Sequence, residues 1–496
     1  MTKRTDGEIR WALFAIVAVG IAIRLAIYLH NKSLWMDEAL LAINVVERSY
    51  GGFLSRLDCM QVAPPLFLFV CKFIYGLWGQ LEYSLRLMPL VCSCISLWLM
   101  GRILLRMSSR FFALCVLSLL AIGPSHIEWA TSFKQYASDE LSAVLVLMAA
   151  IAWERLSKWA RYIVAATLPA LIWLSYTSAF LLLGLIAVAG LSALRDGLRS
   201  KRVALTVLLC SMIIFSCSLY SMVLQKSICQ DEMMAFWVSD FPQSPYTEWL
   251  TNSLVKVVAS AAGAPAAPLL AFVLCVWGAC AIAKSRYSSL NVLAGATLAS
   301  ALVAALLRVY PFTGGRITIY YAPVGLLFLA FGLEAAHRSL KPRVLSHAVK
   351  VVGVALVIFA LYGLVDDCPK LIARQEMRQV LEEIKSGPYS KSLYVVSVYA
   401  SPAFLLYAGP EMQKNTAWLQ NLGLDTRQVV WAWWLARKPA RFWVVVSHGD
   451  FEFIDMVLSD LAPYCIVRRC IKHNGSAAYL FELRPGFVQA MRRRRK

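Results

Sequence analysis

In the stretch NKSLWMDEALLAI, residues 31 to 43, which follows directly on twenty mostly apolar residues, Asp37 and Glu38 stand side by side. A carboxylate at a membrane-water boundary can take a proton from an attacking hydroxyl or hold a divalent cation. A second polar stretch, HIEWATSFKQYASDE, supplies His126, Glu128, Lys134, Gln135, Tyr136 and Asp139. A third, RVYPFTGGRITIYYAP, supplies Arg308, a glycine pair, Arg316, Tyr320 and Tyr321. Arg316 can grip a phosphate in a forked geometry that Lys cannot match, Lys134 adds a point charge, and Tyr136 adds a flat face or a hydroxyl. Gly314 and Gly315 would let backbone approach a ligand. Acids beside phosphate-holding cations are the parts that group transfer from a phosphate leaving group requires.

Each residue also has a purely structural reading. Asp37 and Glu38 can cap the amphipathic helix that follows them. Arg308 and Arg316 can anchor helix ends by snorkelling to headgroups. Lys134 with Asp139 can be a surface pair, His126 an ordinary loop residue, and the glycines a turn before a helix. Glu128 is read as structural.

The elements that must position these residues are membrane spans. Of 496 residues, 59% are hydrophobic and 16% charged, which leaves too little polar surface for a soluble domain. Spans of about 20 apolar residues are expected near 11–30, 85–101, 111–126, 141–157, 162–176, 178–194, 203–224, 265–283, 288–307, 317–334 and 347–364. The run PPLFLFVCKFIYGLWG, 64–79, is short, opens with two prolines and carries Lys72, so it is expected to lie along the interface. With that threading, six short segments on one side hold 18 Lys and Arg, and the longer connections on the other hold nine. The positive-inside rule therefore places the N-terminus in the cytoplasm and the polar stretches outside. It also accounts for the net charge of +20 without nucleic acid. Arg24 is the one charge deep within an expected span.

From about Asp366 the composition becomes that of a small soluble module. SLYVVSVYA and RFWVVVSHGD read as buried strands, SPAFLLYAG and FEFIDMVLSDLA as helices, and RRCIKHNGSAAYLFEL as a hairpin turning at Asn474-Gly475. The closing RRRRK suits anionic headgroups. The thirteen cysteines contain no CxxC pair and no zinc-like spacing; Cys465 and Cys470 could pair. The expected organisation is a mainly α polytopic membrane domain over 1–364 and an extracytoplasmic α/β domain over 365–496.

SLWMDEA after the first span, APPLFLF, RLMPLV, FKQYASDELSAVL and YPFTGGRITIYYAP together resemble bacterial GT-C-fold glycosyltransferases of the dolichyl-phosphate-mannose-protein mannosyltransferase-like group. That group includes the rhizobial lipopolysaccharide core transferases and the lipid A aminoarabinose transferase. The likeness covers about residues 10–340. It implies a GT-C membrane fold of about eleven spans with outer juxtamembrane helices, in the bacterial inner membrane, with the C-terminal module in the periplasm. It implies an inverting transfer from a polyprenyl-phosphate sugar to a cell-envelope glycan, lipid or protein, with an acid of the first outer loop at the active site. On this chain Asp37 is the candidate base or metal-linked acid (Mg, Mn or Ca), with Glu38 beside it. Lys134, Tyr136 and Arg316 match donor-phosphate positions, and His126, Asp139, Arg308 and Tyr320 are further substrate-binding candidates. Two departures stand out: the second loop is poorer in acids and arginines than in many members, and SYTSAF, after the fifth span, holds no histidine.

The rival classes are a transporter or flippase, and a non-catalytic glycan-assembly protein. Transporters place charges near the midplane and show repeated halves; here Arg24 alone lies deep in an expected span, and no repeat is visible. An assembly protein would tolerate loss of Asp37.

The threading is tested by reporter fusions. A periplasm-active reporter is expected to be silent after residue 109 or 341 and active after residue 60, 135 or 390; activity at the basic segments would reverse the topology.

Overall fold

The computed structural model describes residues 2–224, 237–264, 267–418, 441–447 and 451–485. It packs as two units, Met1–Leu29 with Arg48–Cys368, and His30–Glu47 with Pro369–Lys496. The division expected at residue 364 keeps the first outer stretch with the membrane helices, whereas by packing His30–Glu47 belongs with the C-terminal segment.

The first unit is helical. Among the described residues eight helices are long and apolar enough to cross a membrane, or nine if the bent pair Arg110–Ile122 and Pro124–Ala130 is one span, which makes this a multi-pass membrane protein. Pro268–Ala283 is a shorter apolar helix. Pro65–Trp78, the expected interfacial run, is a helix of 14 residues, about 21 Å, too short to span. The stretch expected as a span at 162–176 is broken instead. The α-helix Lys158–Thr167 gives way to a 3-10 turn, Leu168–Trp173, because Pro169 has no N–H to donate and its ring crowds the preceding turn. Small residues bring helices together where no hydrophobic drive exists. A Cβ on Gly332 would stand 1.9 Å from the Leu274 carbonyl oxygen, so Pro268–Ala283 and Ala322–Ser339 touch backbone to backbone.

Arg24 explains the bent pair. Its side chain is wholly buried in the first span, Thr2–Leu29. Nε donates to Ser93 Oγ at 2.9 Å, one Nη to Ala121 O at 2.7 Å and Gly20 O at 3.0 Å, and the other Nη to Leu120 O at 2.9 Å. Leu120 O would normally accept from residue 124, but that residue is proline and has no N–H. The guanidinium replaces the missing donors, and the chain turns by 49° between the two helices.

In the second unit five strands, β1 (Leu393–Val396), β2 (Thr416–Trp418), β3 (Arg441–Ser447), β4 (Cys465–His473) and β5 (Ser476–Leu483), form a sheet in the order β2-β1-β3-β5-β4. β1 runs parallel to β2 and β3; β5 runs antiparallel to β3 and β4. The helix Phe451–Leu461 covers one face through Ile454, Val457 and Leu461. The helix Met377–Lys385 packs on β4 and β5 with Met377, Val380, Leu381 and Ile384 buried. The expected hairpin is present. Gly475 takes φ +63, and a Cβ there would meet the Arg374 carbonyl oxygen at 2.1 Å, so the turn lies flat on the segment before the helix. Cys465 and Cys470 are unpaired. They sit five positions apart on one extended strand, about 16 Å, beyond the reach of a disulfide. The basic tail, residues 492–496, lies outside the described residues.

The stretch before Asp37 is tied down within this unit. Lys32 Nζ donates to Leu371 O at 3.0 Å, Leu34 N to Tyr407 Oη at 2.8 Å and Met36 N to Gln375 Oε1 at 2.7 Å. Ser33 Oγ lies 2.9 Å from Glu376 Oε2, and the Arg374 guanidinium stacks 3.7 Å over the Trp35 ring.

Arg24→Met is expected to leave the Leu120 and Ala121 carbonyls unpaired in an apolar core, at about 1–3 kcal/mol each. Thermal unfolding in detergent should show a large loss of stability, with Arg24→Lys intermediate because it keeps the charge and loses the fork.

Candidate functional site

Asp37 and Glu38 occupy the first turn of the helix Met36–Glu47 in the second unit. Glu38 is fully buried, and its Oε2 accepts the Trp35 N–H at 3.3 Å, which is the capping arrangement that satisfies an orphan amide at a helix start. Asp37 is half-buried.

The other candidates belong to the first unit, and several meet where three helices begin. Tyr136–Ala152, Ser178–Asp196 and Ala322–Ser339 start at the same end: Asp139 in the first turn of one meets Ser175 and Thr177 just before the next, and Tyr136 packs with Ile319 and Ala322 at the third. The aligned peptide dipoles of three helices give this end a partial positive charge suited to an anion. Arg316 and the 3-10 turn Arg316–Tyr321 lead into the third helix.

Asp139 is buried. The Ser175 and Thr177 hydroxyls lie beside its carboxylate and 3.2 Å from each other, while Oδ1 is buried with no hydrogen-bond partner. Tyr320 is 2% exposed and stacks on Phe180 at 5.6 Å, with Tyr310 on the same ring at 5.5 Å. Burial pushes the Tyr310 phenol well up, and the neighbouring Tyr320, Asp139 and Tyr136 add to the rise, so it stays a neutral donor, given to Ile317 O at 2.7 Å.

Lys134 is buried, and its Nζ donates to Gln61 Oε1 at 2.8 Å. Gln61 follows two consecutive non-glycine residues in the left-handed region, Cys59 at φ 58 and Met60 at φ 53. Such backbone costs about 1–2 kcal/mol per residue and gathers at functional sites. His126 is buried in the short helix Pro124–Ala130, and its Nδ1 lies 3.1 Å from Glu140 Oε2, which is also buried.

The remaining arginines stand differently. Arg316 is half-buried with its guanidinium 5.5 Å over the Trp237 ring. Arg308 is exposed at φ 55 just past the helix Ser289–Leu306, where a left-handed residue ends a helix. The glycine pair packs against the chain's own helix, Tyr246–Ala261: a Cβ on Gly314 would meet Lys256 O at 2.7 Å, and Gly315 at φ +93 donates its N–H to Ser260 Oγ at 2.9 Å. Among the described residues no three His, Cys, Asp or Glu side chains gather to hold a metal.

Sequence reasoning missed Gln61, Glu140, Ser175, Thr177 and Tyr310. The hydroxyl pair flanking Tyr176 in SYTSAF and the polar residue three positions before the double proline were the available signals.

No family model and no curated protein sequence matches this chain. Two solved structures of ArnT from Cupriavidus metallidurans are similar to it: the apo form at 12% identity with a TM-score of 0.50, and the form bound to undecaprenyl phosphate at 14% identity with a TM-score of 0.51. Each comparison covers 94% of this chain and 97% of the other. The likeness shows the fold, a polytopic membrane GT-C-type architecture with a small C-terminal α/β domain, as the resemblance implied.

Met60 is 44% exposed, so its strain can be tested without disturbing a core. Met60→Gly is expected to raise stability by up to about 1 kcal/mol and Met60→Val to lower it; equal melting temperatures for both would show that the left-handed backbone carries no strain.

Proposed function

We propose that this chain is an inverting membrane glycosyltransferase of the bacterial inner membrane. It moves a sugar from a polyprenyl-phosphate donor to a cell-envelope glycan, lipid or protein at the outer face, with the N-terminus cytoplasmic and the C-terminal module periplasmic. The observation that carries this reading is the likeness along 94% of the chain to a protein whose structure holds undecaprenyl phosphate. The buried Lys134 at an end where three helices begin supports it, because a buried cation beside helix N-termini suits a phosphate.

In this reading Asp37 accepts the proton of the acceptor hydroxyl as that oxygen attacks the anomeric carbon. The bond from that carbon to the phosphate oxygen breaks, its electron pair leaves with the lipid phosphate, and the configuration inverts. Glu38 caps the helix that carries Asp37. Lys134 and Arg316 offset the charge gathering on the departing phosphate, and Tyr136 lines the same end. A phosphate whose charge is neutralised leaves without a separate general acid. Asp139, with Oδ1 unpaired, and Tyr320 receive polar groups of the substrate, while His126 and Arg308 are outer candidates for the same task. A divalent cation at Asp37 would draw its remaining ligands from phosphate and water, and every step above runs through the chain's own side chains.

The test is transfer of labelled sugar from a panel of polyprenyl-phosphate sugars by purified protein in lipid. Asp37→Asn is expected to lower turnover by about 10²–10⁴-fold with folding intact. Lys134→Ala is expected to weaken use of the donor by about tenfold or more. Loss of activity with a chelator would add the cation. Undiminished turnover by Asp37→Asn would remove the acid from the mechanism, and no transfer from any donor would favour the transporter or assembly readings.

A further inference from the structure

The C-terminal module carries a groove of about 410 Å³ lined by Tyr389, Arg441, Arg468, Arg469, Leu480 and Glu482, none of which has a role above. Three guanidinium groups on a small module would ordinarily be mobile surface charges, and exposed ion pairs are worth little. Here each is held by a carboxylate, Arg441 and Arg468 by the same one. Arg441 lies 4.6 Å from the Tyr389 ring centroid and 3.3 Å from Glu482. Arg468 Nε donates to Glu482 Oε2 at 2.7 Å. Arg469 reaches Glu383 at 3.7 Å, and its guanidinium runs past Gly387, where a Cβ would stand 3.2 Å away. Tyr389 is itself fixed, since its carbonyl accepts the indole N–H of the buried Trp443 at 3.2 Å.

Counting Glu482 and Glu383 against the three arginines leaves one net positive charge. The Arg468 and Arg441 guanidinium groups hold the Glu482 carboxyl below its usual range, so it remains an anchor at neutral pH. Arginine presents five donors, and one carboxylate shared by two guanidinium groups cannot occupy all of them. A shallow concave wall with fixed forked donors suits an oxyanion, and the volume falls within the range of small-ligand sites. Leu480 and the Tyr389 ring add apolar surface, which the C–H face of a sugar can use and inorganic phosphate cannot. A flat bilayer surface does not enter a concavity.

We propose that this groove binds a sugar bearing a phosphate or carboxylate group. The oxyanion sits between Arg468 and Arg469, and the sugar ring lies against Leu480 and Tyr389. The site does not depend on the transfer reaction, and its readout is binding, so it stands or falls apart from the proposed enzyme.

The experiment is calorimetric titration of the full chain in neutral-lipid nanodiscs with glucose 1-phosphate, glucuronate, glucose and inorganic phosphate. Either or both charged sugars are expected to bind, more tightly than glucose or phosphate, with affinity falling as salt rises. Arg468→Ala with Arg469→Ala, both at exposed side chains, is expected to weaken binding about tenfold or more while the melting temperature holds. Tyr389→Phe, which keeps the ring, is expected to bind as wild type. Equal binding of glucose, unaltered affinity in the double variant, or no binding of either charged sugar would overturn the proposal. So would an interaction seen only in nanodiscs containing phosphatidylglycerol and lost in the double variant, which would assign the arginines to lipid headgroups.

Discussion

Within a bilayer each backbone N–H and C=O must find a partner inside the protein, because lipid tails offer none. The first unit departs from continuous helix where Pro124 withdraws a donor, and Arg24 makes that departure tolerable. A buried guanidinium is costly by itself, but here four acceptors from three helices surround it, so the desolvation cost is offset by hydrogen bonds to otherwise orphaned carbonyls. The break places His126 in a short helix of its own, and Glu140, which partners it, also acts electrostatically on Arg24. One charge thus links the first span, the bent pair and the helix carrying Asp139.

The polar end of the first unit follows from helix direction. Three helices begin there, so their aligned peptide dipoles and the hydroxyls of Ser175 and Thr177 make the end polar, and the buried Asp139 and Lys134 supply opposite charges. Aromatic rings fill the space between them, through Trp129 on Tyr136 and Phe180 on Tyr310 and Tyr320. A buried carboxylate oxygen left without a partner in such packing is an expensive feature unless a ligand uses it.

The second unit solves a different problem. A helix of 12 residues such as Met36–Glu47 is marginal alone, and the segment 31–35 that leads into it has no regular structure. Backbone bonds to Tyr407 and Gln375, the Ser33–Glu376 contact and the stacked Arg374 and Trp35 fix that start, so the acids at its first turn inherit the rigidity of the sheet module. The sheet itself keeps its parallel centre apolar on both faces and leaves its exposed edge, β4, to arginine and lysine, which discourages pairing with another chain.

The residues alone determined the membrane class, most span positions, the hairpin at Asn474-Gly475 and the existence of an α/β module, because these depend on local apolar length, periodicity and turn chemistry. They also singled out Asp139, Lys134 and Tyr320 as polar or aromatic residues beside spans. Only the tertiary structure decided that Glu38 faces inward as a cap, that Lys134 meets Gln61 and not Asp139, and that the glycines at 314 and 315 serve the chain's own packing. It likewise decided that 162–176 breaks at Pro169, and that residues 30–47 pack with a segment more than 300 positions away in sequence. Those outcomes rest on which partner a buried polar group finds, and that choice is made across the fold by desolvation and hydrogen bonding, for which spacing along the chain carries no signal.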